Sequence, residues 1–387
     1  MTWVGISPTY FCLHPDVVSV SIADLNPDIR AQARATLQVE AAFDTFEHLL
    51  DSDVDAIGIF TPPWTHADMA VRALEAGKHV LSACPAGLTL DELRRVVSAV
   101  ESSGSMYMIA ETSYYYSGAM FAREAWRDGR FGDFVYAAGE YYYRPHAYDF
   151  WMRDFYANMP PMLYPTHSTA MVISVTGRRF ERATCVGTPG LHPDVIARKR
   201  RTEWQSNDVC NMTLLGQMSG GGACRINEMR NVGCRGELGS LFGTLGSLRQ
   251  HSGQAVWSDG ISPDVDLTTL WQEHPEQHPQ SAAAARLPAS YANQGMGHDG
   301  SHRFLADEFV RAVTQNRLPH NHVWAAAAYS APGIVAWESL KQGSAWLPVP
   351  DFGSPCDGRE HLEEGPLPTS LPNGSASALP GAMFAGR

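Results

Sequence analysis

Asp55-Ala56-Ile57-Gly58-Ile59-Phe60-Thr61-Pro62-Pro63, followed by His66, Ala76-Gly77-Lys78-His79-Val80 and then Leu81-Ser82-Ala83-Cys84-Pro85, is the stretch that decides the fold. Val54–Phe60 is a near-continuous apolar run, as a strand covered on both faces requires. Thr65–Glu75 reads as a helix, and Gly77 fits its C-terminal stop. His79–Ser82 is the next strand. Strand, loop, helix and strand in this order belong to a parallel, nucleotide-binding type of α/β sheet.

The same alternation extends in both directions. Val17–Ala23 reads as a strand ending at Asp24, and Pro27 stands where a helix over Asp28–Gln38 begins. Asp44 or Thr45 caps a short helix through Leu50. Thr89-Leu90-Asp91-Glu92 is a capping box that opens a helix ending near Gly104. Tyr107–Ala110 is a further short strand, and Gly118–Asp128 a linking helix. The texture then changes. Phe134–Tyr143 alternates and is rich in aromatic residues. Val209–Leu215, Ala223–Met229, Leu238–Phe242 and Ser247–Gln250 are short strands separated by Gly-rich turns, an antiparallel pattern. Ser301–Gln315 and Val323–Gln342 read as helices, the second broken or kinked at Pro332-Gly333. Glu273–Leu287 reads as a mobile loop, and the Pro-, Gly- and Ser-rich segment from Gly353 as a disordered tail. The expected organisation is a Rossmann-type, nucleotide-binding α/β domain over 1–115, which by the family resemblance given below binds NAD(P) and is shortened at its N-terminus. A C-terminal α+β domain with a mainly antiparallel sheet follows over 116–352, then the tail over 353–387.

With 387 residues, 44% of them hydrophobic, the chain can bury two cores. Its formal net charge of −12 argues against phosphate-backbone binding, so no nucleic acid is expected as a partner. Arg198-Lys199-Arg200-Arg201 is its one strong basic run and reads as a solvated loop. Seven cysteines, none in a C-x-x-C pair, point to a reducing cytoplasm rather than a disulfide framework. Met1–Ser7 has no basic segment leading into an apolar one. No apolar run reaches the ~18 residues of a membrane helix.

These motifs together resemble the glucose–fructose oxidoreductase / inositol dehydrogenase / MocA family, and the resemblance covers nearly the whole chain. It implies hydride transfer between a nicotinamide cofactor and a sugar, cyclitol or related polyol, by a protein that forms a homodimer or homotetramer. In that family Thr61-Pro62 lies along the nicotinamide side of the cofactor, and His66 matches the histidine that follows. Ala83-Cys84-Pro85 stands where the family carries Glu-Lys-Pro. Cys84 therefore occupies the position of a lysine that serves catalysis and cofactor contact, beside Pro85. The lysines of this chain are Lys78, Lys199 and Lys341, and none is an obvious substitute. A dinucleotide loop of the form G-x-G-x-x-G cradles phosphate because no side chain blocks the backbone. Of it, Trp3-Val4-Gly5-Ile6 retains only Gly5. Asp24 stands where a carboxylate accepts the ribose hydroxyls, which favours NAD over NADP; it reads equally well as part of a turn and cap.

The second half carries Pro160-Pro161-Met162-Leu163-Tyr164-Pro165-Thr166-His167. By resemblance His167 is the group that takes or gives the hydroxyl proton, with Tyr164 as its neighbour. Many members carry aspartates where this chain has Leu163 and Ala170, so the histidine lacks its usual carboxylates. Arg144, Arg230 and His298 are candidate substrate contacts. Glu228 and Arg230 share a strand face and read either as a ligand clamp or as a salt bridge. His298 and His302 are four apart but have no third ligand, so no metal is expected. Loss of the glycines, the lysine and the carboxylates leaves a second reading open. In it the protein is a non-redox relative that has lost its cofactor: a binder of sugar-like ligands, a cofactor-independent lyase or isomerase, or a partner subunit. A third is a start site lying upstream of Met1.

Overall fold

The computed structural model describes residues 6, 8–143, 158–191, 193, 208–251, 254–292, 294, 297–356, 358–365, 367 and 371. Gly5, Arg144, the basic run at 198–201 and the tail beyond 371 lie outside the described residues.

The N-terminal half alternates helices α1 (Pro8–Leu13), α2 (Pro27–Thr36), α3 (Phe46–Leu50), α4 (His66–Glu75) and α5 (Leu90–Ser103) with strands. The strands are β1 (Ile22–Ala23), β2 (Ala42–Phe43), β3 (Ala56–Ile59), β4 (His79–Ser82) and β5 (Tyr107–Ile109). Among the described residues β1 pairs with β2, and β3, β4 and β5 form a second sheet; every pairing is parallel. Ile57, Ile59, Val80, Leu81 and Leu74 are buried. Each such side chain contributes ~1.5–3 kcal/mol by leaving water. The capping box forms as read: Thr89 accepts from the Glu92 N–H, and the Glu92 side chain accepts from the Thr89 N–H.

Helix α6 (Ser117–Arg127) leads into a sheet whose strand order is β13-β12-β11-β10-β6-β9-β8-β7-β14. Its strands are β6 (Phe134–Tyr142), β7 (Phe180–Pro189), β8 (Val209–Met218), β9 (Ala223–Met229), β10 (Gly236–Gly243), β11 (Ser247–His251), β12 (Gln254–Ser258), β13 (Val265–Asp266) and β14 (Leu347–Pro348). The pairings are antiparallel except β6 with β9. Helix α7 (Thr166–Thr176) lies on this sheet against β6 and β10. The remaining helices are α8 (Leu267–Glu273), α9 (Pro279–Ala284), α10 (Ser301–Gln315) and α11 (Val323–Lys341). No helix of the described residues is long and apolar enough to cross a membrane. All seven cysteines are free thiols.

Four expectations are corrected. Only Ile22–Ala23 of Val17–Ala23 pairs; Val18 is fully exposed, and no described strand covers that edge. Glu273–Leu287 is helical rather than a loop, pinned where Gln280 donates to the carbonyls of Tyr115 (2.7 Å) and Asp299 (2.6 Å). Helix α11 runs through Pro332 as one helix. Gly333 next to it faces Met162 and Pro165 so closely that a β-carbon would overlap the Met162 carbonyl. The tail over 358–365 packs on the body: Leu318 N–H donates to Glu360 O, and Leu362 N–H to Leu318 O.

Candidate active site

The chain leaves β5 through Ala110 and turns at Glu111. The carboxylate of Glu111 caps the short helical turn Thr112–Tyr115, accepting the Ser113 N–H at 3.0 Å and its hydroxyl at 2.8 Å. The same oxygen accepts the Nδ1–H of His167, near the start of α7, at 2.7 Å. Glu111 is 0% and His167 5% exposed. Burial by itself raises the Glu111 pKa, but the His167 charge and hydrogen bond reverse this and hold it at about 2. Burial by itself lowers the His167 pKa, but Glu111 overrides it and lifts the ring to about 9. The histidine therefore has a carboxylate after all, supplied from the other half of the chain rather than from positions 163 or 170. Its other nitrogen, Nε2, lies 3.2 Å from the Tyr164 hydroxyl, and the Tyr141 ring is 5.2 Å away. Glu111 carried no signal in the sequence, since a lone glutamate after a short strand reads as ordinary surface.

Cys84 adjoins this pair. Its thiol donates to the second Glu111 oxygen at 3.2 Å. Burial and then the Glu111 charge push its pKa well above that of a free thiol, so the sulfur stays protonated and non-nucleophilic. Ligand-type atoms of Cys84, Glu111 and His167 lie within 4.8 Å of one another, a spacing that would also suit a cation; the thiol and the imidazole each hydrogen-bond the Glu111 carboxylate.

On the cofactor side, loops leave the C-terminal ends of β1, β3 and β4, where ligands bind parallel α/β sheets. His66 ties two of these loops together. Its Nδ1 is 2.8 Å from the Pro85 carbonyl and its Nε2 2.8 Å from the Thr61 carbonyl. It is 1% exposed, and burial lowers its pKa. Its lowered pKa leaves the ring neutral with one N–H, so it donates to one of these two carbonyls and packs against the other rather than turning a nitrogen to solvent. Thr61 Oγ1 is half-buried and lies 2.6 Å from Thr65 Oγ1. Asp24 forms the turn foreseen for it. One carboxylate oxygen accepts the Asn26 N–H at 2.7 Å in the turn before α2, and the side chain remains partly exposed at the end of β1. These described residues fit a dinucleotide's ribose and nicotinamide ends.

The residues expected to contact substrate lie on the sheet and in the loop before α10. The Tyr116 hydroxyl donates a short hydrogen bond to Glu237 on β10. His298 and Asp299 hold left-handed backbone at φ 45 and 53. Burial and then the His167 charge lower the His298 pKa. The His298 ring packs at 4.7 Å on His302. Arg230 is 4% exposed and donates to the Met159 carbonyl at 3.2 Å, so it is built into the end of β9. Its neighbour Glu228 accepts from the Ser168 hydroxyl, and burial raises its pKa well above the carboxylate range. The clear salt bridge of this strand is instead Arg225 with Glu140.

Residues 8–111 match the family described as oxidoreductase family, NAD-binding Rossmann fold. The chain is 25% identical to a glycosyl hydrolase family 109 protein of Saccharopolyspora erythraea over 384 residues, covering 88% of this chain and 79% of that one. It is 26% identical to another of that description from Solibacter usitatus, covering 79% and 73%. Among solved structures it resembles levoglucosan dehydrogenase in complex with NADH and levoglucosan (TM-score 0.69, 19% identity, 89% and 93% covered). It also resembles the WlbA dehydrogenase of Bordetella pertussis in complex with NADH and UDP-GlcNAcA (TM-score 0.66, 16% identity, 88% and 93% covered). These two likenesses concern the fold.

Proposed function

We propose that this chain, whose residues 8–111 match the oxidoreductase family with an NAD-binding Rossmann fold, interconverts a hydroxyl and a carbonyl on a sugar, cyclitol or related polyol. The observation that carries the proposal is the buried Glu111–His167 pair, which joins the nucleotide half to the sheet half at 2.7 Å. A nicotinamide cofactor, when bound, supplies the hydride acceptor or donor. NAD is preferred over NADP, because a 2′-phosphate would meet the Asp24 carboxylate. Asp24 takes the ribose end; Thr61, Pro62, Cys84 and Pro85 take the nicotinamide end, and His66 holds their loops in position.

His167 moves the proton. Glu111 fixes Nδ1–H, so Nε2 faces the substrate oxygen beside Tyr164. With a pKa of about 9, the ring is protonated at neutral pH. It then donates to a carbonyl oxygen as hydride arrives. In the oxidising direction it must first lose that proton, so this direction gains rate with pH. The imidazolium also supplies the positive charge that a lysine at position 84 would bring. His298 and Tyr164 are the substrate contacts among the described residues.

A second reading, cleavage of a glycosidic bond, is favoured by the description of the sequence relatives as glycosyl hydrolases. One experiment separates the readings. NAD(H) and NADP(H) binding is measured by calorimetry, and a polyol and aryl-glycoside panel is then assayed with cofactor, for wild type and His167→Ala. Micromolar NAD binding with polyol-dependent NADH formation, lost in His167→Ala, supports the dehydrogenase. Aglycone release without net NADH supports the hydrolase. No binding at millimolar cofactor retires the dehydrogenase in favour of a cofactor-independent role.

A further inference from the structure

Three consecutive tyrosines in the turn after Glu111 point to three different glutamates. Tyr116 reaches Glu237 in the site, Tyr115 donates to Glu308 at 2.9 Å, and Tyr114 donates to Glu364 at 2.8 Å. Glu364 belongs to the C-terminal segment and is buried in a cationic setting away from the active site. Arg123 Nη2 is 3.4 Å from it, Arg127 Nη2 3.6 Å and His320 Nε2 3.8 Å. Arg286 donates to its backbone carbonyl. Charge-assisted N–H···O⁻ bonds close to ~2.7–2.9 Å when geometry permits. Neither arginine contact does, and the third neighbour, His320, is a neutral ring whose pKa burial lowers to about 4, so one carboxylate underfills the space between the two guanidinium groups.

A cavity of about 450 Å³ adjoins it, lined by Tyr114, Arg123, Arg127, Ser174, His320 and the segment Leu362–Gly365. Arg123 is 6% exposed, yet its Nε has no hydrogen-bond partner, and neither does Ser174 Oγ. Against the three arginines stand Glu364, the Arg127 partner Glu124, and Glu363 on the cavity wall.

We propose that this cavity is a binding site for a tetrahedral oxyanion of the phosphate class, with the Glu364 carboxylate as a built-in stand-in that the anion displaces. Four oxygens on longer bonds reach several donors at once where two carboxylate oxygens do not. Arg127 is the accessible half of the clamp, its side chain 56% exposed, and Arg123 the buried half.

The test is calorimetric titration of inorganic phosphate into the full chain. Glu364→Gln keeps the shape and removes the competing charge. It is expected to bind phosphate at least tenfold tighter than wild type, ~1.4 kcal/mol. Adding Arg127→Ala should abolish that gain. A hexose phosphate in parallel distinguishes the source: tighter binding than inorganic phosphate marks an esterified ligand, equal or weaker binding a free anion. No heat up to ~10 mM phosphate in a folded Glu364→Gln protein, or binding indifferent to Arg127→Ala, overturns the proposal and leaves Glu364 as a structural latch. If Glu364→Gln does not fold, wild type against Arg127→Ala carries the same test. Millimolar binding lost in the arginine variant supports the site, and equal binding or none refutes it.

Discussion

Glu111 and His167 share one proton-rich contact, and each explains the other's ionisation. Replacing Glu111 by Gln removes the charge that lifts the histidine. Burial then dominates, and the His167 pKa falls below its ordinary 6.5. The oxidising pH–rate profile should lose its rise near 9 and become flat above neutrality, while carbonyl reduction at pH 7 drops ~10²-fold or more. Stopped-flow measurement of NADH across pH 6–10 checks both limbs. Cys84→Ala should leave kcat within a few-fold, because the thiol is protonated and takes no part in proton transfer, with any loss appearing in cofactor affinity; intact activity after iodoacetamide treatment is the companion observation. His167 was legible because it sits in a motif. Its partner was not, because 56 residues separate the two and a hydrogen bond across that distance leaves no spacing to read.

Elements with local signals were read closely. The Thr89–Glu92 box, the Gly104 stop at φ 68 and the strand β4 all stand where side-chain chemistry required. Elements that depend on distant partners were not. The segment from Glu273 is helical because Gln280 is bound by two carbonyls far away in sequence, which no local pattern announces. Val17–Ser21 has β-branched residues in strand-like alternation but few partners, and propensity alone does not pair a strand. Helix α11 passes Pro332 because packing against Met162 and Pro165 at Gly333 outweighs the lost bond. Gly333→Ala should therefore cost ~1–3 kcal/mol by overpacking, although alanine favours helices. A lowered thermal midpoint with unchanged cofactor affinity is the expected result.

For the molecule as a whole, the buried ion pairs set a pH window. Glu111 and Glu364 are both held near about 2, below the ordinary 4.5, so their stabilisation is present above 4.5 and is lost as pH falls through 2. His167 is raised, so its contribution is complete below 6.5 and is lost as pH rises through about 9. Melting temperature against pH should form a plateau between about 4.5 and 6.5 and decline on both sides, and Glu111→Gln should flatten the alkaline decline. Val135, Val186 and Leu215 are exposed on strands of the large sheet. We propose that this sheet seats a second copy; sedimentation then shows wild type larger than Val186→Arg, and equal sizes refute it. The seam crossed by Glu111 and His167 also bears on any attempt to recombine this chain with its relatives. A hybrid that takes its first 115 residues from a protein with lysine at position 84 and no acid at 111 would inherit one half of each of two charge schemes. Its histidine would lose its counter-ion and face a second cation. Exchange of halves succeeds here only if position 111 travels with position 167, so the two behave as a single heritable unit split across the fold.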